Sequence, residues 1–147
     1  MITKRTKITD FSPEYLSQVR EILSQNFYSP WTDQQILSEN PFTVKKIITL
    51  EDMVIVFFAG EIIFGEASIT MIAVKEDFQG RGIGSQVLSW FKNYAKEKGA
   101  ENIWLEVSVN NKKAVRFYEK HGFFTQDIRK NYYLDGSDAL IMKCPLL

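Results

Sequence analysis

Hydrophobic positions along the 147 residues follow two alternating rhythms, and the changes between them mark out the elements. Tyr15, Leu16, Val19, Ile22 and Leu23 recur at helical spacing behind Ser12-Pro13-Glu14, which supplies a candidate N-cap, a first-turn proline and a first-turn acid. Phe27-Tyr28-Ser29-Pro30-Trp31 breaks the period. Thr32, followed three residues later by Gln35, then spells a capping box for a short second helix. Thr3 to Thr9 alternates weakly and is heavily charged, which suits an edge strand. From Phe42 to Leu50 and from Met53 to Ala59, β-branched and aromatic residues dominate, with Glu51-Asp52 as a hairpin turn between them. Gly60-Glu61 reads as another turn, and Ile62 to Val74 as a long third strand in which Gly65 marks a bend.

That third strand feeds Gln79-Gly80-Arg81-Gly82-Ile83-Gly84, after which Ile83, Val87, Leu88, Phe91 and Ala95 form the apolar stripe of a helix closing at Lys98-Gly99. In Asn102 to Val109 the alternation puts Ile103, Leu105, Val107 and Val109 on one face and Trp104, Glu106 and Ser108 on the other. A helix intervenes, so this strand should run parallel to the one before the glycine turn. Asn110 or Asn111 caps a further helix carrying Ala114, Val115, Phe117 and Tyr118, which ends at His121-Gly122. Phe123 to Arg129 and Asp138 to Cys144 read as a final strand pair. A meander that leads into a strand-loop-helix unit is an α+β arrangement.

A chain of this length with 45% hydrophobic residues suits one domain over residues 1–147. Eighteen basic residues balance eighteen acidic ones, so no global field draws the protein to nucleic acid or to an anionic membrane. The single cysteine, Cys144, excludes an internal disulfide or a cysteine zinc cluster, and no metal is expected. Met1-Ile2-Thr3-Lys4-Arg5 lacks the apolar core of a secretion signal, and no stretch has membrane-spanning length, which points to the cytoplasm.

The glycine turn carries the first chemistry. The start of a helix leaves backbone N–H groups without intrahelical acceptors and adds partial positive charge, so an anion is its natural guest. Glycine at 80, 82 and 84 lets a phosphate approach the amides closely. The spelling fits neither a Walker loop, because Ser85-Gln86 follows Gly84, nor the dinucleotide fingerprint, because Ser85 or Val87 stands where its last glycine belongs. Taken alone, the turn is balanced between a ligand loop and a plain connection.

The order of elements resembles the GNAT superfamily of N-acetyltransferases. The residues that carry the resemblance are Gln79-Gly80-Arg81-Gly82-Ile83-Gly84, Trp104-Leu105-Glu106-Val107, Asn110-Asn111 and Phe117-Tyr118-Glu119-Lys120-His121-Gly122-Phe123. The tail, Arg129-Lys130-Asn131-Tyr132-Tyr133 followed by Asp138-Ala139-Leu140-Ile141-Met142, is similar to that of the enzymes acetylating the N-terminal alanine of ribosomal proteins and of their archaeal N-terminal acetyltransferase relatives. The resemblance implies a mostly antiparallel, mixed sheet of about seven strands with a splayed parallel pair, flanked by about four helices. It implies acetyl-CoA as cosubstrate, its pyrophosphate on the amides of Gly80, Arg81, Gly82, Ile83, Gly84 and Ser85. The pantetheine arm would lie along Ile72, Ala73 and Val74 and reach Asn111. Glu106 is implied as general base, directly or through water, in a setting where desolvation on an apolar strand raises its pKa. Tyr118 is implied as the acid for the leaving thiolate, while Trp31, Glu66, Tyr132 and Tyr133 are implied as acceptor-binding residues.

Neutralising an α-amine at pH 7 costs roughly 1 kcal/mol against roughly 4.6 for a lysine, which favours the α-amine as the nucleophile for one carboxylate base. The expectation is acetyl transfer to a protein N-terminus, that of an alanine-initiated ribosomal small-subunit protein, by a monomer or homodimer. A small amine such as a polyamine or aminoglycoside as acceptor, and a non-catalytic acyl-CoA-binding module, are the alternatives.

Overall fold

The computed structural model describes residues 5–146. In chain order the elements are β1 (Thr6–Asp10), α1 (Leu16–Asn26), α2 (Asp33–Leu37), β2 (Thr43–Leu50), β3 (Met53–Ile63), β4 (Glu66–Val74), α3 (Ile83–Glu97), β5 (Asn102–Ser108), α4 (Lys112–Lys120), β6 (Phe124–Arg129) and β7 (Ala139–Pro145), with short 3₁₀ turns at Pro13–Tyr15 and Glu76–Phe78. The seven strands form one sheet in the order β1-β2-β3-β4-β5-β7-β6. β1 is its edge, as the charged pattern implied, although Thr3 and Lys4 of the expected strand lie outside the described residues, as does most of the segment inspected for a secretion signal.

Two compact units can be distinguished. One comprises the N-terminal segment through Glu61 together with Met71–Phe91, and the other Ile62–Thr70 together with Lys92 and the remainder. In the first, α1 contributes Val19, Ile22 and Leu23 to a core shared with Ile36, Ile47, Val54, Phe57, Ala59 and Ala73. Each fully buried aliphatic side chain of this kind contributes about 1.5–3 kcal/mol. The α3 stripe is buried as its spacing required, from Ile83 through Val87, Leu88 and Phe91 to Ala95. Two local expectations change. Ser12 occupies an extended N-cap position without capping, its hydroxyl donating instead to Glu14, and the helix opens as a 3₁₀ turn. The Thr32–Gln35 capping box forms in full, and the other end of α2 is closed by Lys45, whose ammonium donates to the carbonyls of Gln35 (3.2 Å), Ile36 (2.8 Å) and Ser38.

The turn expected at Gly60-Glu61 is absent. Both residues stay in β3, paired with Val44 and Thr43, and the chain turns instead at Phe64 (φ 46°) and Gly65 (φ 83°), so β4 begins only at Glu66. In the second unit, β4 runs parallel to β5 over Glu66–Ser68 against Asn102–Trp104. β7 pairs antiparallel with β5 on one side and with β6 on the other. The alternation in β5 buries Ile103, Leu105 and Val107 as expected, whereas Val109 lies beyond the strand and is exposed.

The β2–β3 turn places Glu51 (φ 48°) and Asp52 (φ 72°) in the left-handed region, the backbone of a type I′ hairpin that favours glycine at its second position. Asp52 supplies its carbonyl to Gln18, an acceptor that glycine retains. Asp52→Gly should therefore raise stability by about 0.5–1 kcal/mol, seen as a higher urea midpoint at an unchanged m-value.

Candidate active site

Gly80 (φ 75°) and Gly82 (φ 79°) hold the left-handed conformations that fold the chain into α3, and a Cβ built on either meets no heavy atom within 4 Å. The space over these amides is open, and the first turn of the 15-residue helix carries no acidic residue. This arrangement fits an anion. The guanidinium of Arg81 lies 5.2 Å from the Phe78 ring centroid. Ile83 is 1% exposed, so at this position only the main chain is available to a ligand.

The approach to the turn is anchored by side chains that the motif reading missed. Gln79 Nε2 donates to the Val74 carbonyl (3.0 Å) and to Asn26 Oδ1 (3.3 Å). Asn26 Nδ2 donates to the same Val74 carbonyl (3.0 Å) and to Ile22 (2.8 Å), and Glu76 N–H donates to Gln25 Oε1 (2.9 Å). Lys75 N–H donates to Ile55 O at 2.8 Å. By strand alternation the main-chain groups of Ala73 therefore face β3, while those of Ile72 and Val74 face away from it. Ala73 is also core, and the Val74 carbonyl is already engaged. Asn111 is the N-cap of α4, its Oδ1 accepting from Ala114 N–H at 3.2 Å.

A cleft of about 530 Å³ opens in the second unit, where Ser68 and Thr70 of β4, Trp104 and Glu106 of β5, Arg129 of β6 and Ile141 of β7 line it. Glu106 does not sit in the desolvated surroundings expected for it. Its side chain is 39% exposed, and Arg129 Nη1 lies 3.4 Å from Oε1. The guanidinium reaches across β7, since β7 separates β6 from β5, and it also stands 5.5 Å from the Tyr132 ring centroid. Tyr132 meets Tyr133 edge to face at 5.1 Å. The Tyr133 phenol is held above its ordinary pKa, first by burial and then by the negative charges of Glu106, Tyr132 and Asp135. Glu106, Arg129, Tyr132 and Tyr133 thus form one cluster.

Glu66 serves β5. Its Oε2 accepts from the Trp104 indole N–H (3.0 Å), and its Oε1 accepts from Asn102 Nδ2 (3.1 Å). Trp31 belongs to the first unit, where it packs edge to face on Phe57 at 6.4 Å with Lys45 Nζ 5.7 Å from its ring centroid. Tyr118 is half-buried on α4 against Phe117 (5.2 Å) and Phe123 (5.4 Å). Burial pushes its phenol up to about 12, so it remains protonated throughout the neutral range. Lys92 donates to the His121 carbonyl at the end of the same helix.

A strand thus feeds a glycine turn at a helix start, and a parallel strand carries a carboxylate into a cleft, the order of elements that one family of acetyl-CoA-dependent N-acetyltransferases also has. The Acetyltransferase (GNAT) family pattern matches residues 16–123, and the chain belongs to that family. A Bacillus subtilis protein, provisionally called a [ribosomal protein bS18]-alanine N-acetyltransferase, is 37% identical over 133 residues, covering 88% of each chain. The crystal structure of the ribosomal-protein-S18-alanine N-acetyltransferase from Escherichia coli superposes with a TM-score of 0.87 at 28% identity, covering 96% of this chain and 94% of that one. Ard1 from Thermoplasma volcanium superposes at 0.82 with 29% identity, covering 97% and 99%.

The raised phenol has a consequence for stability. Tyr118 ionises in the unfolded chain near pH 10 but in the folded protein only near 12, so its contribution is complete below pH 10 and is lost as pH rises through 12. The loss amounts to about 2–3 kcal/mol at the alkaline end. Urea midpoints measured from pH 8 to 12 should fall more steeply for the wild type than for Tyr118→Phe.

Proposed function

We propose that this chain transfers the acetyl group of acetyl-CoA to the N-terminal α-amine of a protein, an alanine-initiated ribosomal protein of the bS18 kind, in the cytoplasm. The observation that carries this reading is the cleft lined by Glu106 of β5 and Arg129 of β6, with the Tyr132-Tyr133 pair of the following loop clustered beside Arg129. The names carried by the Bacillus and Escherichia coli relatives support it. The family pattern spans both units, which supports residues 1–147 acting as one catalytic domain.

The amides of Gly80 to Ser85, the outward main-chain groups of Ile72 and the outward N–H of Val74 are the groups that would hold acetyl-CoA, with Asn111 as a further contact. When bound, it supplies the activated thioester carbonyl. Glu106 takes the proton from the incoming ammonium, directly or through a water, because only the neutral amine has a lone pair to offer. Its exposure keeps it within reach of an amine arriving from solvent. Trp31, Glu66, Tyr132 and Tyr133 position the acceptor, with Glu66 working through the β5 side chains it binds.

Tyr118 Oη holds its proton across the working pH range and offers it to the departing sulfur. An ordinary thiol titrates well below a phenol raised by burial, so complete transfer of the phenol's proton to the thiolate is uphill. Tyr118 therefore acts mainly as a hydrogen-bond donor that steadies charge on sulfur, and the net proton comes from the acceptor amine.

Incubation with acetyl-CoA should modify peptides with a free N-terminal alanine and leave N-terminally blocked peptides unmodified. Labelling confined to lysine side chains refutes the α-amine assignment. Tyr118→Phe should lower kcat by about 10²- to 10³-fold with CoA affinity unchanged, as measured by steady-state kinetics and calorimetry.

A further inference from the structure

Trp104 is held from several directions, and the geometry gives that restraint a purpose. Its indole N–H donates to Glu66 Oε2 at 3.0 Å, and the carboxylate is itself fixed through Oε1 by Asn102 Nδ2 at 3.1 Å. Strand register enforces this triangle, because Glu66 pairs with Asn102 and Ser68 with Trp104 along the β4–β5 ladder. From β7, Lys143 pairs with Trp104 and places Nζ 5.1 Å from the ring centroid. The indole is half-buried and still lines the cleft, on the same face of β5 as Glu106 two residues further on.

A large ring that needed only to fill space would not require a carboxylate aimed at its nitrogen, and an exposed carboxylate gains little from one neutral donor. The bond does fix the plane of the ring. An aromatic wall lowers the cost of binding when its rotamer is set beforehand, since that ordering need not occur on association. We propose that Trp104 is the apolar wall against which the acceptor rests beside its reacting amine, and that Glu66 is a positioning residue that sets the ring without touching the acceptor. The inference rests on the assignment of this cleft to the acceptor. It replaces direct recognition by Glu66 with recognition through the indole.

The test uses Trp104→Phe, Glu66→Ala and the double substitution in the full chain. Trp104→Phe keeps a ring but has no N–H, and Glu66→Ala leaves the ring without its anchor. Each should raise KM for an alanine-initiated peptide by about 3- to 10-fold with little change in kcat or in KM for acetyl-CoA, and the double substitution should cost no more than either alone. Additive effects in the double variant overturn the positioning role and make Glu66 a direct contact. An unchanged peptide KM in both single variants overturns the wall.

The chain has three tryptophans, Trp31, Trp90 and Trp104, so the indole N–H signals in a ¹⁵N spectrum can be assigned by substitution. Glu66→Ala should shift the Trp104 signal and speed its exchange with solvent by about tenfold or more, with Glu66→Gln in between. A Trp104 signal that does not move shows that the bond does not orient the ring. Should the wild type leave every peptide N-terminus unmodified and acetylate a polyamine, the α-amine reading fails. The wall is then judged on KM for that amine with the same variants.

Discussion

The start of a long helix directly behind a glycine turn is the constraint on which this protein depends. A helix start directs main-chain N–H groups outward, and the left-handed glycines Gly80 and Gly82 turn the chain into α3 with open space beside them. No acidic side chain from that turn fills the role of counter-charge. The helix behind the turn is held by one of the most regular apolar stripes in the chain, so the donors are fixed by the core although they face outward. Gln25, Asn26 and Gln79 extend this rigidity to the segment before the turn by tying it to the end of α1 and to the last carbonyl of β4. Donors held in this way cost little reorganisation when an acceptor meets them.

The second unit holds a carboxylate in contact with solvent beside a cation. Glu106 projects from a strand whose alternate residues are core, yet it remains solvated and faces a guanidinium delivered from β6 across the intervening β7. Arg129 also lies near the face of Tyr132, and Tyr133 feels the Glu106 charge, so charge and aromatic surface are arranged together around the cleft. Tyr118 takes the opposite setting. Packing against Phe117 and Phe123 keeps its phenol neutral, whereas exposure leaves Glu106 open to solvent.

Features governed by short-range periodicity were legible in the chain itself. The α3 stripe, the Thr32–Gln35 box, the Glu51-Asp52 turn and the burial alternation of β5 all follow from contacts within a few residues. The turn at Phe64-Gly65 was legible only as a bend at Gly65, because Gly60-Glu61 is as turn-like locally. Pairing with Thr43 and Val44 on the neighbouring strand decides between them. The general surroundings of Glu106 were misjudged for a related reason. An apolar strand suggested desolvation, but Arg129 comes from 23 positions away and is placed by the order β5-β7-β6, which no local pattern reveals. The anchoring of Val74 by Asn26 spans 48 positions and was equally hidden.

The ammonium that closes α2 bears on how an acylating enzyme treats its own amines. Burial lowers the Lys45 pKa while Glu39 acts in the opposite sense, so burial alone would make this nitrogen a better nucleophile than a solvated lysine. Its hydrogens, however, are directed to three backbone oxygens, and freeing a lone pair for attack on a thioester would first break one of those bonds at the end of the helix. Lys45 is thereby shielded from self-acylation by the contacts that make it structural.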